Sequence, residues 1–218
     1  MSPEAVRIAY DTVAGDYADA FPGTEPETPL DLAMVDAFAG AVRTQAETPS
    51  NARILDAGCG AGRMSQYLKD HGCSVQGIDG SPGMVAMARR DHPDIHFSVA
   101  DLASIPFADN SFAGVMLWYS IIHTPPADLP GVLTEAVRLV RPGGHLLVAF
   151  QSGTGIRDVA PAYRELGHEI TLERYCYTAD DVTAILETVG AQEVCRLVRS
   201  PQARERDDQA VVLARLTA

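Results

Sequence analysis

Three acids follow three short apolar runs in the first half of the chain, and the first of them opens a bend of small residues. Ile54 and Leu55 lead into Asp56, and Gly58-Cys59-Gly60-Ala61-Gly62 comes next, before a helical pattern begins at Arg63. Such glycines let the backbone take positive φ and let a ligand approach the main chain, while the helix start beyond them offers N–H groups without partners. That is the chemistry of holding a nucleotide-like cofactor. A second run, Val75 to Ile78, ends in Asp79, about twenty residues after the bend, where a carboxylate can accept hydrogen bonds from vicinal ribose hydroxyls. Gly80 and Met84 would then flank the ribose and the adenine face. A third acid, Asp101, follows the run from Ile95 to Val99.

The dinucleotide fingerprint G-x-G-x-x-G would need its third glycine where Arg63 stands, so a nicotinamide cofactor fits the bend less well. An acid two residues before G-x-G-x-G, with a second acid downstream, resembles motif I of the class I S-adenosylmethionine-dependent methyltransferases. Asp101-Leu102 and the turn Arg141-Pro142-Gly143-Gly144 agree with that family in order and spacing, and the resemblance runs over roughly residues 50 to 218. It implies a cofactor site built from Asp56, Gly58, Cys59, Gly60, Arg63, Asp79, Gly80 and Met84, with Asp101 accepting the adenine amino group and Leu102 at the ring edge. The opening YDTVAGDY is similar to a stretch that folds over the cofactor in many small-molecule methyltransferases. Tyr17 would then touch the methionine end or the substrate; its other reading is as an anchor for the N-terminal helix.

Trp118-Tyr119-Ser120-Ile121-Ile122-His123 looks like the segment that faces the sulfonium and the acceptor in small bacterial members. Trp118 either lines that pocket or caps the sheet. His123 is the candidate catalytic base, since a neutral imidazole near the transferred methyl could take a proton from an oxygen or nitrogen nucleophile, and its other reading is to bond the loop or orient substrate. Cys59 suits the bend as a small side chain, with no base beside it to make it a nucleophile. Taken together these features imply methyl transfer from S-adenosylmethionine to an oxygen, nitrogen or carbon of a small molecule, with S-adenosylhomocysteine as product and no metal. A non-methylating scaffold or rearrangement catalyst shares the same motifs, and a nicotinamide-dependent dehydrogenase shares the same sheet.

The elements that would position these residues alternate. Apolar steps of three and four residues from Asp31 to Arg43 and from Asp128 to Val140 mark amphipathic helices, and Phe112 to Trp118 reads as a strand buried on both faces. Asp128 is the expected N-cap of its helix. Thr178 and Asp181 form a capping-box pattern before Val182, Ile185, Leu186 and Val189. This order predicts an α/β fold, a Rossmann-like doubly wound sheet, which the resemblance specifies as seven-stranded with an antiparallel last strand. Residues 1–50 read as an N-terminal helical cap and 51–218 as the core. The stretch 151–177 shows no periodicity and is expected to cover the acceptor pocket, while the loop RSPQARERDD balances its arginines with acids and reads as solvated.

With 218 residues, 46% of them hydrophobic, the chain is an ordinary globular length, and its net charge of −12 repels nucleic acid and anionic membranes. No apolar run is long enough to span a bilayer. Four scattered cysteines, Cys59, Cys73, Cys176 and Cys195, show no C-x-x-C pair. The expected setting is the cytoplasm, the expected partner a small-molecule acceptor, and a homodimer is allowed.

Overall fold

The computed structural model describes residues 1–45, 48, 51–202 and 205–217. Its elements are α1 (Pro3–Ala20), α2 (Pro29–Thr44), β1 (Arg53–Ala57), α3 (Arg63–Asp70), β2 (Ser74–Asp79), α4 (Pro82–Asp91), β3 (His96–Val99), β4 (Phe112–Trp118), α5 (Leu129–Leu139), β5 (Val140–Ser152), β6 (Ile156–Asp158), α6 (Ala160–Arg164), β7 (Glu173–Tyr175), α7 (Ala179–Thr188), β8 (Ala191–Arg199) and β9 (Asp208–Leu216). Seven strands form one sheet in the order β3-β2-β1-β4-β5-β9-β8. The first five run parallel, and β9 lies antiparallel between β5 and β8. The chain winds outward from β1 to β3, then crosses to β4 on the other side. At such a reversal the crevice beyond the strand ends is where open α/β sheets take their ligands.

Alternation along β4 explains the layers. Val115 and Leu117 join one apolar cluster with Leu133 of α5 and Val182 of α7, while Met116 and Trp118 join another with Phe38 and Val42 of α2. Every residue of β4 is buried, as a central parallel strand covered on both faces must be. The capping box expected at α7 is present, and α2 carries another: Thr28 accepts from the Asp31 N–H, the Asp31 carboxylate accepts from the Thr28 N–H, and Pro29 fills the first position.

Four readings need correction. The stretch 151–177 is not irregular throughout, since β6 and β7 pair as a small antiparallel ribbon; three-residue strands are too short to show a period of two. Arg141 to Gly144 does not precede the strand but lies within β5 as an irregularity, because Val140 pairs with Phe112 and His145 with Gly114. A Cβ on Gly144 would come within 2.7 Å of the Ala113 carbonyl, which explains the glycine. Asp128 precedes α5 without a side-chain capping bond, its backbone being already helical. The RSPQARERDD loop is not simply solvated, for Arg199 is buried; Arg204 of the same loop lies outside the described residues, as does the boundary drawn after residue 50.

Arg199 clamps two acids. Its guanidinium donates to both Asp31 oxygens at 2.8 and 2.7 Å and to both Glu205 oxygens at 2.6 and 2.7 Å. Burial pushes the Asp31 carboxyl up, but the bonds from Arg199 and Thr28 outweigh it and hold the group below its usual range. Truncating one partner of a buried pair strands the other charge, so Arg199→Ala should cost about 3–5 kcal/mol in urea unfolding at neutral pH. A depressed carboxyl pKa contributes stability above its unfolded value and loses it as the pH falls through the folded one. The gap between wild type and R199A should therefore narrow on acidification below about pH 4. A gap that stays constant into acid would refute this account.

Candidate functional site

The bend after β1 is held from below by β2. The N–H groups of Gly58 and Cys59 both donate to the Ile78 carbonyl at 2.8 Å, and the Gly60 N–H donates to Asp79 Oδ2 at 2.9 Å. Gly58, Gly60 and Gly62 all have positive φ, at 80°, 53° and 87°. Their surroundings differ. A Cβ on Gly58 would lie 2.2 Å from the Ser120 Cβ, and one on Gly62 would lie 2.8 Å from the Phe97 ring; at Gly60 the nearest atom would be Tyr17 Cε1 at 3.8 Å. Two of the glycines thus let other elements close in, and Gly60 alone faces open space.

That space is a cavity of about 1820 Å³ above the ends of β1, β2, β3 and β4. All the residues singled out from the sequence line it: Tyr17, Asp56, Gly58, Cys59, Gly60, Arg63, Asp79, Gly80, Met84, Asp101, Leu102, Trp118 and His123. Asp79 also accepts from the Ser81 N–H at 2.8 Å, so each oxygen already holds one backbone bond, and burial pushes its carboxyl pKa up against them. Asp101 accepts from the Ala103 N–H at 2.8 Å in an open turn.

Asp56 is the most constrained of the acids. Its Oδ2 accepts the Ser65 hydroxyl at 2.5 Å, its Oδ1 is buried with no partner among the described residues, and burial drives its pKa up to about 7 against that hydroxyl and the Arg63 charge. Ser120 Oγ, Gln151 Oε1 and Arg174 Nε are likewise buried and unpartnered, and these residues line the cavity, whereas His145 Nδ1, also unpartnered, lies away from it. Buried polar groups are rarely left so, and their convergence on one space marks a place where a ligand supplies the missing bonds. Tyr119, with φ 56°, turns the chain so that Ser120 closes over Gly58; backbone strain of this kind in a bulky residue gathers at binding sites.

His123 is fully engaged. Its Nδ1 lies 2.6 Å from the Glu173 carbonyl, which can only accept, so the ring proton sits there and Nε2 accepts the Tyr10 hydroxyl at 2.8 Å. Burial lowers its pKa to about 4, so the ring is neutral at physiological pH. Cys59 is buried with its thiol pKa raised by desolvation, the opposite of an activated nucleophile.

The sequence reading missed several residues. Glu27, in the connector between α1 and α2, binds Arg63 at 2.5 Å and accepts the Trp118 indole N–H at 3.1 Å, and its side chain is nearly wholly buried. Asp11 accepts from the Ser81 hydroxyl at 2.6 Å and the Gly83 N–H at 2.9 Å, which pins α1 to the start of α4. Gln151 and Arg174 were passed over because nothing local distinguishes them. Only for Glu27 was there a signal, the second of two acids among prolines and threonines, immediately before a capped helix.

Residues 54–144 match the family model described as a methyltransferase domain. A demethylmenaquinone methyltransferase of Beutenbergia cavernae is 42% identical over 90 residues, 41% of this chain and 37% of that protein. A malonyl-[acyl-carrier protein] O-methyltransferase of Serratia marcescens is 29% identical over 169 residues, 78% of this chain and 61% of that protein. The chain thus spans less than two thirds of either relative. Among solved structures, the 1,6-didemethyltoxoflavin-N1-methyltransferase of Burkholderia thailandensis, with bound 1,6-didemethyltoxoflavin and S-adenosylhomocysteine, superposes with a TM-score of 0.71 at 19% identity, over 100% of this chain and 92% of that one. That likeness is one of fold.

The bend itself is testable. An L-residue at positive φ costs about 1–2 kcal/mol, and overpacking against a fixed neighbour adds about 1–3 kcal/mol. Gly58→Ala should therefore destabilise more than Gly60→Ala in chemical denaturation. Equal losses would mean that Ser120 does not crowd the bend.

Proposed function

We infer that this chain is a class I S-adenosylmethionine-dependent methyltransferase, which transfers a methyl group from S-adenosylmethionine to an oxygen, nitrogen or carbon of a small molecule. The observation that carries this reading is the unpartnered Asp56 Oδ1 beside a glycine bend whose Gly60 opens into the cavity. In it, Asp79 takes the ribose hydroxyls with the free lone pairs left by its two backbone bonds, and Asp101 with Leu102 takes the adenine edge. Gly80 and Met84 flank the nucleoside, and Asp56 draws the ligand's amino end toward its unpartnered oxygen. Arg63 is held by Glu27, and its part is to fix the connector and Tyr17 over the bend rather than to meet the ligand as a free cation.

When bound, S-adenosylmethionine supplies an electrophilic sulfonium methyl and leaves as S-adenosylhomocysteine. The chain's own contribution is to hold an acceptor in line with that methyl and keep water out, and such orientation can supply about 7–11 kcal/mol. With its basic nitrogen engaged by Tyr10, His123 orients the Tyr10 hydroxyl in the cavity wall instead of taking a proton directly. Of the N-terminal stretch, α1 and the connector act as the cap while α2 packs in the core: α1 reaches the cavity through Tyr10 and Tyr17, and the connector reaches it through Glu27. No helix among the described residues is long and apolar enough to cross a membrane. The net charge of −12 disfavours nucleic acid as that acceptor.

Calorimetry with S-adenosylhomocysteine tests the reading. Asp79→Ala should weaken binding about tenfold or more, the worth of hydrogen bonds to a charged group; unchanged affinity would remove the nucleoside from this site. Because Asp56 is protonated below about pH 7 in the free protein, a ligand that prefers its ionised form must expel that proton. Affinity should rise as the pH is raised through 7 and then level, and Asp56→Asn should flatten the profile. A profile that falls with pH, or that D56N leaves unaltered, would show that Asp56 does not meet the ligand.

A further inference from the structure

The cavity is larger than the cofactor end described above, and its far wall is the β6–β7 ribbon. Arg157 of β6 and Arg174 of β7 stand directly opposite one another in the antiparallel register. Like charges so placed repel unless an anion lies between them. Asp207 is that anion, accepting Arg157 Nε at 3.1 Å and an Arg174 terminal nitrogen at 2.5 Å. One carboxylate between two guanidiniums leaves a positive charge over.

The two arginines are not equivalent. The Arg157 side chain is 44% exposed and hydrated, whereas that of Arg174 is only 16% exposed. Arg174 Nε is buried and has no partner among the described residues, and both arginines line the cavity. Gln151, in β5, lines the same cavity with its Oε1 buried and unpartnered. The other acids of the cavity do not pair with the ribbon: Asp56, Asp79 and Asp101 belong to the strand ends, Glu27 binds Arg63, Asp31 and Glu205 bind Arg199, Glu4 binds Arg7, and neither Glu25 nor Asp128 forms an ion pair with Arg157 or Arg174. The Arg174 charge also reaches Tyr10 and His123, which places the ribbon beside that pair.

From this we propose that the ribbon is a carboxylate subsite, and that the methyl acceptor is a small molecule whose carboxylate group is bound by Arg174, with a neighbouring N–H or O–H donating to Gln151. A planar guanidinium edge presenting an unused N–H matches a carboxylate in shape as well as charge, which an ammonium would not. The proposal rests on the reading of the cavity as the methyl-transfer site, since it names the acceptor of that same site.

The test titrates benzoate, indole-3-acetate and 2-aminobenzoate, each beside its primary amide, into the protein saturated with S-adenosylhomocysteine. At least one carboxylate should bind about tenfold or more tighter than its amide, because the amide lacks the charge that strengthens the bond. Arg174→Gln should abolish the preference while affinity for S-adenosylhomocysteine stays as in wild type. Asp207→Asn, which removes the competing carboxylate, should increase the preference; a merely structural Asp207 would leave it alone. The proposal is overturned if carboxylates and amides bind alike or not at all, if R174Q keeps the preference, or, should R174Q fail to fold, if D207N does not increase it. Failure of S-adenosylhomocysteine to bind wild type would count against the methyl-transfer reading instead, and the carboxylate preference is then read on the protein alone.

Discussion

The contact on which the site depends is the one between the first bend and the strand beside it. Gly60 offers its N–H to Asp79 while Gly58 and Cys59 share the Ile78 carbonyl, so the loop after β1 is tied to the end of β2. This tie fixes the Asp79 carboxylate without using its full accepting capacity, which a lone loop acid could not achieve. On the other side Ser120 closes against Gly58, in space that no side chain at 58 could share. Three neighbouring strands, β2, β1 and β4, therefore meet over one glycine-lined turn, and Tyr119 takes a strained conformation to let them do so.

The segments that precede the first strand complete the cavity by polar bonds added to the burial of Ala9, Val13, Ala14 and Ala18 on α1. Asp11 grips Ser81 and Gly83 at the start of α4, Tyr10 reaches His123, and Glu27 joins Arg63 to Trp118. α2 behaves differently: Val35, Phe38, Ala39 and Val42 belong to one of the two principal apolar clusters of the sheet. Bonds of the first kind exchange readily with water, while burial of the second kind does not. The N-terminal stretch thus joins a helix embedded in the core to a helix and connector fastened over the cavity.

How much of this was legible follows from range. Motifs whose parts are close in sequence were readable because local geometry sets them: the glycine bend, the Thr178-Asp181 box and the fully apolar β4 all appear where the pattern places them. Partners far apart in the chain were not. Arg199 meets Asp31 across 168 positions, and Glu27 meets Trp118 across 91, and no periodicity announces either pairing. The ribbon from Ile156 to Tyr175 escaped for another reason, since its strands have three residues each. Even at Gly58 the type of residue was legible but its reason was not: the close approach there comes from Ser120 rather than from a ligand.

The charge arrangement explains why the two ends of the cavity can serve different ligands. Acids stand at the strand ends, where Asp56, Asp79 and Asp101 meet the bend, and desolvation raises the pKa of the first two because no cation fully compensates them. Cations stand on the ribbon, where Asp207 falls short of balancing Arg157 and Arg174. Between them lies a neutral pair, Tyr10 and His123, with the histidine held uncharged by burial and by the Arg174 field. A ligand with a positive centre is drawn to the first end and one with a negative group to the second. Both ends keep buried polar atoms with no protein partner among the described residues, Asp56 Oδ1 at the first and Arg174 Nε at the second. On the proposed reading, the order of charge along the cavity, from acids through the neutral pair to arginines, is what orients cofactor and acceptor without a contact that must recognise both.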